Sequence, residues 1–177
     1  MNKLFSIRDE TTGAMSIDVT LEVGDSVYPG RLDVSDGPSD RGVLMIPGAG
    51  HGPFGDVFLR FGRAAAGAGY HVARFETWMT PDDVDSKTEA DFRAEIEAGV
   101  EFLRSRGCET IAVVAKSFGG RLALSHLPEG VDRLVVWALA VLAEGIEDAP
   151  ERLLESDLIP SVAESELAAV DVPVRVL

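Results

Sequence analysis

One cysteine, three lysines and three histidines are all that 177 residues supply of these types, and each scarcity excludes something. With Cys108 alone, no intramolecular disulfide can form, so a packed core must hold the fold. Its setting, Arg106-Gly-Cys-Glu-Thr110, suits a buried thiol just ahead of a strand. Arginine supplies thirteen of the 16 basic residues, set against 30 acids, and the net charge of -14 disfavours nucleic acid or an anionic membrane as a partner. A Lys-poor acidic surface suits a salt-rich cytoplasm as well as it suits an ordinary soluble protein. Long apolar runs are also missing. Residues 134–143 form a run of ten, against the roughly 20 that cross a bilayer. The first ten residues lack the apolar stretch of a signal peptide. A cytoplasmic protein is expected. No Cys/His/Asp/Glu grouping has metal-ligand spacing, and no cofactor is expected.

What is present reads as one globular domain over residues 1–177, with 46% hydrophobic and 26% charged residues. Alternating segments at 15–23 and 26–34, joined at Gly24-Asp25, predict an antiparallel hairpin. After a polar stretch at 35–40 the pattern becomes strand and helix in turn. Strands are expected at 42–46, 71–75, 111–115, 134–139 and 172–177. Helices are expected at 56–67 with Asp56 as cap, at 118–127, and at 148–155. Another helix follows a capping box read at Ser86-Lys-Thr-Glu89, with its apolar stripe at Phe92, Ile96, Val100 and Leu103. Strands alternating with helices imply right-handed crossovers and a mostly parallel, twisted sheet covered on both faces, a three-layer α/β/α arrangement with the hairpin added in front.

Such sheets carry their chemistry beyond the carboxyl ends of the strands. Two loops stand out there. In Thr110-Ile-Ala-Val-Val-Ala-Lys-Ser117-Phe-Gly-Gly-Arg-Leu-Ala-Leu124 a serine sits between a β-branched run and a helical one, with Ala115 and Gly119 two places to either side. Small residues at those places relieve the crowding of a nucleophile elbow, which an ordinary serine N-cap does not need. The second loop, Pro47-Gly-Ala-Gly-His-Gly-Pro-Phe-Gly55, would lie beside it. In an elbow-bearing fold the backbone N–H groups of Phe118 and Ala49, with Gly50 as second choice to Ala49, form the oxyanion hole. His51 and Trp78 are candidate pocket residues, the latter at the rim.

Other motifs fit the same segments less well. Gly50-His-Gly52-Pro-Phe-Gly55 fits G-x-G-x-x-G, and Glu76 lies where a ribose contact would be. The glycines begin several residues past the strand, however, and Pro53 removes an N–H that would face a pyrophosphate. Lys116-Ser117 lacks the upstream glycines of a P-loop. Among the histidines, His126 is nine residues along the same helix from Ser117, roughly 13 Å away, and His71 begins its strand at the wrong edge. His51 is at the right edge but reads better as a substrate-facing loop residue than as a base. Glu76, Glu144, Glu147 and Asp148 follow strands in a chain too rich in acids for a role to be assigned.

Pro47-Gly-Ala-Gly50, Val72-Ala-Arg-Phe-Glu76, Ala115-Lys-Ser-Phe-Gly-Gly-Arg121 and Val172-Pro-Val-Arg-Val-Leu177 together resemble the small, dienelactone-hydrolase-like branch of the α/β hydrolases. The resemblance implies a serine hydrolase acting through Ser117 on a small ester or acyl substrate. Dienelactone hydrolases proper carry cysteine at that place. It further implies that the triad acid follows the strand at 172–177 and that the histidine comes later still. On that expectation the domain is C-terminally incomplete and has little or no activity, and its last strand offers an apolar edge for a homo-oligomer. Two alternatives remain: a hydrolase-like scaffold without catalysis, and a nucleotide-binding Rossmann-like protein.

Overall fold

The computed structural model describes residues 6–8, 15–50, 52–137 and 170–176. Their strands form one sheet in the order β1-β2-β3-β5-β4-β6-β7-β8. Strand β1 (Ser6–Arg8) was not anticipated; it pairs antiparallel with β2 (Met15–Val23), which forms the expected hairpin with β3 (Ser26–Val34). Gly24, at φ 56°, supplies the left-handed backbone of the two-residue turn. Strand β3 then runs antiparallel to β5 (His71–Phe75). From there β5, β4 (Arg41–Ile46), β6 (Thr110–Lys116), β7 (Arg133–Trp137) and β8 (Val174–Val176) are all parallel.

Strand alternation divides the core between two faces. Val43, Met45, Val72 and Val114 point toward helix α1 (Asp56–Gly67) and its buried Phe58. Leu44, Ile46, Ala73, Phe75, Val113 and Ala115 face the other way, against α3 (Glu89–Ser105) and α4 (Phe118–Ser125). The stripe Phe92, Ile96, Val100 and Leu103 is buried as its spacing predicts. Three layers result, with helices on both faces of a mostly parallel sheet.

The helix starts differ from expectation in instructive ways. Asp56 is not the cap of α1: Gly55 is, with no side-chain cap bond, and Asp56 instead places an acid in the first turn. The box read at Ser86–Glu89 is shifted by two residues. Thr88 accepts from the Asp91 N–H, and Asp91 accepts from the Thr88 N–H at 2.8 Å. Ser86 is unavailable because it already ends a short helix, α2 (Pro81–Asp85), whose own box pairs Thr80 with Asp83. Helix α4 stops at Ser125 because His126, at φ -138°, leaves the helical region. The predicted helix at 148–155, the end of the strand at 134–139, and Glu144, Glu147 and Asp148 lie outside the described residues.

One polar pair is buried between the sheet and α1. The Arg74 guanidinium on β5 donates to Asp33 on β3 at 2.6 Å, with side-chain exposures of 1% and 3%. Burial lowers the pKa of Arg74, and the Asp33 carboxylate opposes that shift. Helix α1 crosses directly above: a Cβ on Gly62 would stand 2.3 Å from Asp33 Oδ2, so only glycine fits there. Removing one partner strands the other charge out of water. Asp33→Asn is therefore expected to cost about 3–5 kcal/mol in urea unfolding. Arg74 Nε and Nη1 have no hydrogen-bond partner among the described residues. For that reason Asp33→Leu combined with Arg74→Met is expected to cost less than the single change.

Candidate active site

Strand β6 reaches its carboxyl end at Lys116, and α4 starts at Phe118, so a single residue must make the turn. Ser117 does so at φ 51°, ψ -115°, and among the described residues it is the one non-glycine with positive φ. Two sets of backbone bonds force this conformation. Its N–H continues the sheet by donating to the Trp137 carbonyl at 2.9 Å, while its own carbonyl opens the helix by accepting from Gly120 at 3.0 Å and Arg121 at 3.3 Å. The side chain makes no cap hydrogen bond and is half-buried. An N-cap serine has extended backbone and bonds the N2 or N3 amide; Ser117 does neither. It is a strained strand-to-helix turn and not an ordinary cap.

The small residues around it serve close approach. A Cβ on Gly119 would lie 2.3 Å from the Pro47 carbonyl oxygen and 2.6 Å from Ile46 Cγ2, so α4 begins hard against the end of β4. Ala115 is fully buried beneath the turn. The loop at 47–55 lies beside the serine as expected: a Cβ on Gly48 would stand 3.3 Å from Ser117 Cβ and 3.9 Å from Ser117 Oγ. Ala49 and Gly50 follow, both half-buried, with Ala49 packed on the core and open space beside Gly50. Phe118 is buried. As the first residue of α4 it has an N–H without an intrahelical acceptor.

Trp78 requires a correction. It is not a rim residue but a core one, 2% exposed. Its ring meets Phe92 edge-on at 5.1 Å and Phe118 at 6.3 Å, and its Nε1–H donates to the Gly48 carbonyl at 3.1 Å. The indole thus joins the three parts of the site, tying the loop beside Ser117 to the helix that follows Ser117 and to α3. A buried tryptophan needs an acceptor for its N–H, and here a carbonyl just past the end of β4 supplies it. Gly48 itself was not singled out in the sequence beyond its place in the loop, and nothing local marks its carbonyl as the anchored one.

The described histidines are occupied elsewhere. His71 starts β5, opposite Gly42 at the far end of the sheet, and its Nδ1 accepts from the Ser35 N–H at 3.3 Å. Burial, and then the Arg106 charge, lower its pKa. His126 follows α4 and lies 2.7 Å from Glu89. His51 falls outside the described residues. Lys116 is half-buried, its ammonium 6.0 Å from the centre of the Phe58 ring on the α1 side. Two glycines of the nucleotide-type motif have packing and turn roles: Gly52 gives way to Met79, whose sulfur would be 2.1 Å from a Cβ, and Gly55 caps α1. Glu76 is exposed. Among the described residues no cluster of His, Cys, Asp and Glu could hold a metal, and no helix is long and apolar enough to cross a membrane.

A serine held at positive φ stores about 1–3 kcal/mol, of which glycine would return part to its larger unfolded-state entropy. Ser117→Gly is expected to raise stability by about 1 kcal/mol in urea unfolding, whereas Ser117→Ala, equally strained, gains nothing comparable.

No protein-family model and no curated protein sequence matches the chain. Solved structures do. A dienelactone hydrolase-like promiscuous phosphotriesterase from metagenomic libraries superimposes with a TM-score of 0.66 at 18% identity, covering 93% of this chain and 80% of that one. The dienelactone hydrolase from Anabaena variabilis gives 0.62 at 14% identity, with 93% and 86% covered. A cold-adapted esterase from an Arctic intertidal metagenomic library gives 0.64 at 16%, with 77% and 64% covered. At these identities the likeness is one of fold, and the chain has the α/β hydrolase fold that it shares with these structures.

Proposed function

We propose that Ser117 is the nucleophile of a serine hydrolase acting on a small ester or acyl substrate. The observation that carries this reading is the strained, uncapped serine itself. Strain at a non-glycine residue persists only where surrounding structure enforces it, and it concentrates at working sites. In the proposed step Ser117 Oγ attacks the substrate carbonyl carbon, the hydroxyl proton passes to a base, and the carbonyl π pair moves onto oxygen. The Phe118 and Ala49 N–H groups receive that oxyanion. Collapse of the tetrahedral intermediate expels the alcohol, which takes up the proton, and leaves an acyl-serine for water to cleave. Gly48, held by Trp78, sets where the Ala49 amide stands. The structural neighbours include an esterase, a dienelactone hydrolase and a promiscuous phosphotriesterase, which supports ester chemistry as the class.

A second reading has its own observation. Of the two described histidines, neither joins Ser117. A serine without a base is a weak nucleophile, and a non-catalytic hydrolase-like binding protein would keep the fold without the turnover.

A fluorophosphonate probe separates the two readings. Intact-mass measurement is expected to show one adduct per wild-type chain and none on Ser117→Ala. Trp78→Phe, which keeps the ring packing but loses the bond to Gly48, is expected to slow labelling about tenfold, the worth of one such hydrogen bond. Wild-type labelling no faster than that of Ser117→Ala would favour the binding protein.

A further inference from the structure

Directly beneath the loop that lies against Ser117, the core contains a cavity of about 20 Å³. Its walls include Ile46 and Pro47 at the end of β4, Thr77 and Trp78 after β5, and Glu95 of α3. Leu44, Met45, Phe75 and Ile96 complete a largely apolar lining, in which Glu95 and Thr77 supply the polar side chains besides the Trp78 indole; a void of that size has room for one water molecule. Two of its walls, Pro47 and Trp78, are the groups that fix the loop: the Pro47 carbonyl abuts Gly119, and the Trp78 indole holds Gly48.

Glu95 is the charged wall, and it is 4% exposed. One carboxylate oxygen, Oε1, accepts from the Lys87 ammonium, which also donates to the Tyr28 hydroxyl at 3.0 Å and lies 4.9 Å from the centre of that ring. The other, Oε2, is buried without a hydrogen-bond partner. Burial raises the pKa of Glu95, with Lys87 and Tyr28 opposing. A stranded carboxylate oxygen is among the more costly things a core can contain. Glu95 and Thr77 both line this water-sized void, and a partnerless carboxylate oxygen with a hydroxyl on the same wall suits an internal water. Neither group was singled out in the sequence, where Glu95 is one acid among 30.

We propose that this cavity is a binding site for one internal water, held by Glu95 and Thr77, and that Glu95 is thereby a positioning residue for the oxyanion loop. The water links α3 to the residues that anchor Gly48, so the placement of the Ala49 amide depends on a carboxylate one layer below it. As a statement about rate this rests on Ser117 being the nucleophile; as a statement about the loop it does not.

Three variants test it. Glu95→Gln keeps two polar atoms of the same shape, Glu95→Leu replaces them with apolar volume, and Thr77→Val removes the threonine hydroxyl while sparing the ion pair. The first readout is hydrogen exchange of the amides at 48–50, corrected for global stability from urea unfolding. Glu95→Leu and Thr77→Val are each expected to speed it about tenfold, with Glu95→Gln within threefold of wild type. Magnetisation transfer from a bound water to nearby amides is expected in wild type and Glu95→Gln and not in the other two. Fluorophosphonate labelling of Ser117 should follow the same order. If Glu95→Leu does not fold, Thr77→Val carries the test. Wild-type exchange in the apolar variants, or equal loosening in Glu95→Gln, overturns the proposal. An unlabelled wild type whose loop exchange follows the expected order overturns the hydrolase reading alone.

Discussion

Between Lys116 and Phe118 the backbone must leave a parallel sheet and enter a helix within one residue, and most of what surrounds that turn exists to permit it. The Ser117 N–H is committed to the sheet and its carbonyl to the helix, so no freedom is left in the dihedrals between them. Positive φ at a serine follows, and with it the crowding that makes Gly119 obligatory against the Pro47 carbonyl. The same crowding draws the loop after β4 against the serine, where Gly48 has no room for a bulky side chain. Strain and proximity are thus one fact seen from two sides.

Polar groups are buried on both faces of the sheet. On the α1 face, Asp33 and Arg74 join β3 to β5 and demand glycine at position 62. On the α3 face, Glu95 meets Lys87 and Tyr28 and lines the cavity under Pro47 and Trp78. Buried ionic groups of this kind contribute little net stability. What they do is join elements: Asp33 and Arg74 tie β3 to β5, and Lys87 ties Tyr28 of β3 to Glu95 of α3.

Much of this was legible from local pattern. The bounds of α1 and β5 match their periodicity to the residue, the stripe from Phe92 to Leu103 is buried, and a tight turn lies where a β-branched run meets a helical one with small residues on both sides. Other features depend on competition that pattern does not reveal. The box lies two residues beyond Ser86 because Ser86 ends the helix that Thr80 and Asp83 open, and Thr80-Pro-Asp-Asp83 carries that signal in the sequence. Trp78 was placed at a rim because a loop aromatic gives no indication of which way it turns, and only the Gly48 carbonyl decides it. Glu95 and Asp33 are acids in an acidic chain, and their burial comes from partners 8 and 41 residues away.

The central claim is that Ser117 and the amides of Phe118 and Ala49 form one preorganised acyl-transfer site. A crystal structure of the phosphonylated protein tests it most directly. The account predicts a covalent bond from Ser117 Oγ to phosphorus, with the phosphonyl oxygen accepting from both the Phe118 and Ala49 N–H groups at about 2.7–3.1 Å. A phosphonyl oxygen turned to solvent, or an adduct on any other side chain, would contradict it.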